Sequence, residues 1–245
     1  MDSSHGPIAD SSHLIERTGI PRRVLSRLVD STQMGVGYRV LDVGCGGGEL
    51  AAYLDSLGVR CVGLDESPVH IVEAKRAVPA CDFHCGSIGD ALAACKGGFD
   101  IVLVRDVSAF QASLLSPVAF GASLQLLARV RPGGCLAFLS RIDAGSMAAT
   151  GHRLTCYARH IGLLPGTYDL HEISDGGLFT KSFRSRGAAQ SGCGYAVAVL
   201  RLRPQPLSQE QWKQIADRGA SPSAAPCCQW AAQGGTSTAY RSKAA

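Results

Sequence analysis

Tyr38-Arg39-Val40-Leu41-Asp42-Val43-Gly44-Cys45-Gly46-Gly47-Gly48-Glu49-Leu50 is the stretch whose reading decides the fold. Val40 to Val43 reads as a buried parallel strand. A glycine-rich turn follows, and Glu49 to Leu57 has helical character. Strand, glycine turn and helix are how an α/β protein brings backbone close to a ligand. The glycines fall at 44, 46 and 48, giving Asp-x-Gly-x-Gly-x-Gly from Asp42. Glycine suits such a turn because it accepts positive φ and has no Cβ to block a ligand.

Two ligand classes use a turn of this kind. A dinucleotide site wants Gly-x-Gly-x-x-Gly or Ala, whose last small residue lets helix and strand pack closely. Here that position is Glu49, which is bulky and acidic. A carboxylate in the first helical turn also repels the pyrophosphate that the helix dipole would attract. A cationic or zwitterionic ligand fits better beside Asp42 and Glu49.

At these residues the chain resembles the class I S-adenosylmethionine-dependent methyltransferases, whose first motif reads V-L-D-V-G-C-G-x-G. The resemblance recurs from about Val40 to Arg203. It implies S-adenosylmethionine as cofactor, with Asp42, Gly44, Cys45, Gly46 and Gly48 around its amino acid portion. It also implies an α/β fold with a seven-stranded, mostly parallel, doubly wound sheet and helices on both faces. The implied strand order is 3-2-1-4-5-7-6, with strand 7 antiparallel. Alternating strands and helices from Val40 to Leu139 independently support the parallel part.

Val59 to Leu64 is a second apolar strand ending at Asp65. Ser67 is an N-cap and Pro68 occupies the first helical position of a helix running to about Val78. Asp65 lies at the carboxyl end of the second strand, about 20 residues past the glycine turn, where a carboxylate meets the two hydroxyls of a ribose. A carboxylate accepts from a cis-diol with good geometry. The competing reading is that Asp65 caps the next helix. Glu66 and Ser67, which follow it, are counted with it as cofactor contacts.

A short third strand spans Cys81 to Cys85 and leads into Gly86-Ser87-Ile88. The resemblance puts these three beside the adenine: the family commonly has an acidic residue at the Ser87 position, accepting from the adenine amino group, and Ile88 covers a purine face. Ser87 departs from that pattern. Phe99 to Val104 is the fourth strand, with Arg105 and Asp106 at its carboxyl end, where the crevice of a doubly wound sheet lies. By the resemblance Arg105 touches the methionine portion and Asp106 faces substrate. The alternative is a local ion pair or a cap for the next helix. Ser108 to Val130 reads as helical with a possible break at Pro117. Arg131-Pro132-Gly133-Gly134 reads as a sharp turn and Cys135 to Leu139 as the fifth strand.

Around this centre the chain is less informative. Residues 1–12 are polar and small and read as disordered. Residues 13–31 carry apolar residues at helical spacing, with Pro21 able to open a second helix. This is either a cap over the cofactor, as often in the resembled family, or a helix packed on the sheet edge. Met147 to Ile161 has helical spacing, and Tyr168 to Ile173 and Tyr195 to Leu202 read as the last two strands. The long link over 174–192 reads as a loop shaping a substrate pocket or as disorder. The methyltransferase domain is thus expected over 13–203 and a mostly disordered tail over 204–245, with a short helix capped by Ser208.

Composition narrows the function classes. Of 245 residues 46% are hydrophobic, enough for a full core, and the net charge of +4 is spread without a basic run. Nucleic acid is therefore not the expected partner. No apolar run approaches the length that spans a membrane, and the first residues carry no apolar signal core. The ten cysteines then read as small core residues of a reduced, cytoplasmic protein. No C-x-x-C pair is present, so zinc is disfavoured. Asp106 and Asp143 stand roughly where a catechol-type enzyme binds magnesium, but the usual Asp-Asn pair is missing after the fifth strand, so no metal is expected. Methyl transfer from a sulfonium needs alignment more than a fixed catalytic residue. Asp106 and His152 are the candidates should an acceptor need a base. The expected function is thus methylation of an oxygen, nitrogen or other nucleophile on a small molecule. The alternative is a catalytically silent protein of the same fold that binds a nucleoside or a partner protein.

Overall fold

A computed structural model describes residues 11–107, 116–143, 168–174, 193–202 and 204–219. Seven strands form one sheet: β1 Arg39–Val43, β2 Arg60–Asp65, β3 Asp82–Cys85, β4 Phe99–Arg105, β5 Val130–Asp143, β6 Tyr168–Ser174 and β7 Cys193–Arg201. Their order is β3-β2-β1-β4-β5-β7-β6. The β1–β2, β1–β4, β2–β3 and β4–β5 pairs are parallel. β7 runs antiparallel to both of its neighbours.

Alternation along each strand splits the core in two. Leu41 and Val43, Val62 and Leu64, Val102 and Val104, and Leu136 and Phe138 face one side. Val40, Cys61, Ile101 and Leu103, and Cys135, Ala137 and Leu139 face the other. Period-two alternation with apolar residues on both faces is the signature of a sheet covered on both sides. The first face is covered by α5 (Ile88–Ala94), α6 (Pro117–Leu127) and α7 (Gln209–Gly219). The second is covered by α2 (Arg22–Thr32), α3 (Glu49–Ser56) and α4 (Pro68–Ala77), with α1 (Ser11–Thr18) packed beside α3.

Several local expectations change. Pro117 does not break a helix; it opens one, with Ser116 as a cap that accepts from the Ala119 amide. Proline has no amide hydrogen to lose at a first helical position. Residues 108–115, the first part of that expected helix, lie outside the described residues. Arg131 to Gly134 is not a turn between elements, because β5 runs continuously from Val130. The pairing with β4 instead shifts register between Phe99 and Ile101, a bulge that absorbs the positive φ of Gly133. Helix α1 begins at Ser11, two residues before the expected start.

The N-terminal helices pack as a sheet cover. Val24, Leu25 and Leu28 of α2 are fully buried on the second face. The Tyr195 hydroxyl donates to the Gly19 carbonyl and Arg201 donates to the Ser31 carbonyl, tying the α1–α2 segment to β7. Part of the expected tail is ordered: Ser208 and Gln211 cap α7 reciprocally, and Ile215 is buried on the first face. The expected helix over 147–161, His152, the 175–192 link and residues 220–245 lie outside the described residues. Among those that are described, no helix is long and apolar enough to cross a membrane.

Candidate functional site

The site is built where β1 ends. The Gly44 and Cys45 amides both donate to the Leu64 carbonyl, folding the loop over the end of β2. Gly44, Gly46 and Gly48 all have positive φ, at 82°, 55° and 82°. Their reasons differ. A Cβ on Gly44 would collide with the Arg105 carbonyl oxygen. One on Gly48 would come within 3.0 Å of Ala74, where α3 and α4 approach each other. A Cβ on Gly46 would meet only the Glu49 carboxylate, at 3.7 Å, an ordinary contact. Two glycines therefore serve the scaffold, and Gly46 alone faces free space. Cys45 turns its thiol into the core, where Gly63 leaves room for it. Burial first, with Asp42 and Asp65 adding, pushes that thiol far above its ordinary range. Cys45 therefore has only backbone to offer a ligand.

Asp42 is fully buried. It sits on the same sheet face as Arg105, one strand over, because Asp42 pairs in register with Leu103. Arg105 Nε and Nη2 donate to the two Asp42 oxygens at 2.8 and 3.1 Å. Burial pushes the Asp42 carboxyl above its usual range, Arg105 pulls it back, and Asp65 and Glu49 add to the rise. Burial alone would lower the Arg105 guanidinium, but Asp42 holds it raised. The two short parallel contacts are those of an ionised fork, which decides how the pair is read. Of the two readings of Arg105, the local ion pair is the one observed, and its partner is Asp42.

Asp65 is more crowded than expected. Its Oδ2 accepts from the Gly46 amide at 2.9 Å, and its Oδ1 accepts from the Ser67 amide at 2.9 Å and faces His70 Nδ1 at 3.1 Å. Burial works to raise this carboxyl, yet the Ser67 and Gly46 amides and His70 outweigh it and hold the group below its ordinary range. Asp65 thus joins the glycine loop to the start of α4. Ser67 is the cap proper, accepting from the His70 amide. Glu66 is exposed, and its carbonyl accepts from the Cys85 thiol.

At the end of β3, the Gly86 amide donates to the Asp65 carbonyl. Ser87 caps α5: its hydroxyl donates to Asp90 Oδ2 at 2.7 Å and accepts from the Asp90 amide at 3.4 Å. Ile88 is half-buried and packs against the first core face. Asp106 ends β4 with a φ of 43°, unusual for a residue with a side chain, and its carboxylate accepts from the Arg141 amide at 3.0 Å. Among the described residues no group of His, Cys, Asp and Glu is placed to hold a metal ion.

Residues 40–134 match a family model described as "Methyltransferase domain". The match covers less than half of the chain and shows what this stretch is similar to. The chain is 34% identical to a ubiquinone biosynthesis O-methyltransferase of Thiobacillus denitrificans, over 46% of this chain and 48% of that protein. It is 34% identical to one of Methylobacterium sp., over 54% and 52%. The chain thus matches about half the length of these curated relatives. Two solved structures share the fold. One is a precorrin 8w decarboxylase from Methanobacterium thermoautotrophicum, with TM-score 0.51, 16% identity and coverage of 73% of this chain and 90% of that one. The other is the N-methyltransferase NodS from Bradyrhizobium japonicum, with TM-score 0.50, 18% identity and coverage of 79% and 99%.

Within this stretch, the loop, Asp65, Glu66, Ser67, Gly86 and Ser87 gather at the carboxyl ends of β1, β2 and β3, with Arg105 and Asp106 at the end of β4. Two neighbours were missed from sequence. Asp90 is exposed one turn beyond Ser87, and the Ser-x-x-Asp spacing of a capping box could have flagged it. His70 stands at the third position of α4, and nothing in its spacing points to Asp65. That contact depends on how β2 delivers the chain into the helix.

Proposed function

We propose that this protein transfers a methyl group from S-adenosylmethionine to a small-molecule acceptor. The observation that carries the reading is the space left over Gly46, in a loop whose other two positive-φ glycines, Gly44 and Gly48, are locked against Arg105 and Ala74. A dinucleotide would meet Glu49 there, whereas a ligand carrying positive charge meets Asp65 and Glu49 favourably. When bound, S-adenosylmethionine supplies a methyl group already activated on a sulfonium. The chain's own part is to leave room at Gly46, to accept from the ribose at Asp65, and to hold acceptor and donor in line without water. Cys45 and Gly86 contribute backbone, and the Asp42–Arg105 pair fixes the floor beneath the amino acid portion.

An oxygen acceptor is favoured by the names of the relatives, both O-methyltransferases. A hydroxyl acceptor must lose a proton, and Asp106 is the exposed carboxylate at the end of β4. The test is incubation with methyl-labelled S-adenosylmethionine and a panel of phenols, carboxylates and amines. Label is expected in one class, with phenols first. Failure of every acceptor, with no S-adenosylhomocysteine formed beyond a protein-free control, would count against the activity. No observation favours a silent protein.

A further inference from the structure

His70 lies where a ribose hydroxyl should go. The inference rests on Asp65 being the ribose acceptor, as proposed above. A carboxylate oxygen offers two lone pairs. Oδ1 of Asp65 already faces two donors, the Ser67 amide and His70 Nδ1. Among the described residues Oδ2 accepts from the Gly46 amide alone, which leaves it one lone pair for a hydroxyl. A cis-diol donating to this carboxylate needs one place on each oxygen, so Oδ1 must release a donor. The Ser67 amide is fixed by the cap of α4 and cannot leave. The His70 side chain is half exposed, against 14% exposure for Asp65, and can turn away into water. Asp65 stays ionised, so it can only accept, and Nδ1 must carry the hydrogen.

We propose that His70 is a place-holder that occupies one ribose-hydroxyl position in the ligand-free protein and yields it when a ribonucleoside ligand binds. While His70 is in place the site is closed to a bidentate diol. Apparent affinity is reduced by the fraction of molecules in that state. His70 thus sets how tightly the ribose is held.

The experiment titrates S-adenosylhomocysteine and 5′-methylthioadenosine, which share the ribose, into wild type, His70→Ala and His70→Asn. Asparagine keeps an N–H donor at nearly the position of Nδ1. His70→Ala should bind both ligands roughly two- to tenfold more tightly, and His70→Asn should return to the wild-type value. A tightening of this kind is not what loss of a merely structural contact produces. In parallel, nitrogen NMR of the wild-type imidazoles should show the Nδ1-protonated form of His70 without ligand and its loss at saturation. Equal or weaker binding by His70→Ala, or a His70 signal unmoved at saturation, overturns the place-holder and leaves the cofactor reading standing. No binding of either ligand to any of the three folded proteins overturns the cofactor reading, and the place-holder with it.

Discussion

Adding one methyl group at Gly46, and separately at Gly44, distinguishes the ligand's space from the scaffold. Both residues have positive φ, so alanine at either position carries the strain of a left-handed backbone, about 1–2 kcal/mol. At Gly46 nothing further is lost, because the new Cβ meets only the Glu49 carboxylate at 3.7 Å. At Gly44 the Cβ collides with the backbone oxygen of Arg105, which cannot swing aside as a side chain would. Overpacking adds about 1–3 kcal/mol, so Gly44→Ala should cost about 2–5 kcal/mol in all. Affinity should order the variants differently. In Gly46→Ala the methyl group stands in the cofactor's volume, and an intrusion of about 1–3 kcal/mol weakens binding roughly 5- to 150-fold. Gly46→Val should abolish measurable binding. Urea unfolding and calorimetry with S-adenosylmethionine on the same preparations read both quantities. Wild-type affinity in a folded Gly46→Ala protein would refute the reasoning, as would a stability loss equal to that of Gly44→Ala.

Asp65→Ala should lower both S-adenosylmethionine affinity, by roughly ten- to a hundredfold, and thermal stability, since the carboxylate also ties the Gly46 and Ser67 amides; loss of stability with unchanged affinity would remove Asp65 from the site. Asp65 also sets an acid limb. Its folded-state carboxyl is held below the ordinary value of 3.8, so the unfolded chain binds a proton first and the contribution of Asp65 is complete above that value. It is lost as pH falls through the lower folded value, so the stability curves of wild type and Asp65→Asn should be separate above the ordinary value and converge as acid protonates the folded carboxyl. Arg105→Leu leaves Asp42 buried without a partner and should cost about 3–5 kcal/mol near neutral pH, measured by urea unfolding. That loss should shrink on acidification as Asp42 takes up a proton, and adding Asp42→Asn should recover part of it.

How much could be read in advance depends on whether a feature is local. The turn after β1 was legible because strand, glycines and helix are consecutive, and Ser67-Pro68 announced the start of α4 for the same reason. Partners across strands were not. Arg105 could be placed at the end of β4, but its partnership with Asp42 follows from the β1–β4 register, which pairs Asp42 with Leu103 and leaves Arg105 one pleat further on the same face. From sequence Asp65 is either a ribose acceptor or a cap. The carboxylate in fact bonds both the loop and the helix entry, which two-oxygen chemistry allows and linear spacing does not reveal. The Arg131 to Gly134 stretch has strong turn chemistry, and it is the part of β5 that the register with β4 passes over, from Val130 to Cys135. Pro117 inside an expected helix suggests a break, yet Ser116 just before it is a helix cap and Pro117 takes the first helical position.

The central claim is that the space over Gly46 receives S-adenosylmethionine. Calorimetric titration of the purified protein with that compound tests it most directly, with nicotinamide dinucleotide in a parallel cell. The account predicts saturable one-to-one binding of S-adenosylmethionine, displaced by S-adenosylhomocysteine, and no heat from the dinucleotide, which Glu49 rejects. Saturable binding of the dinucleotide with none of S-adenosylmethionine, to a protein folded by circular dichroism, would contradict it.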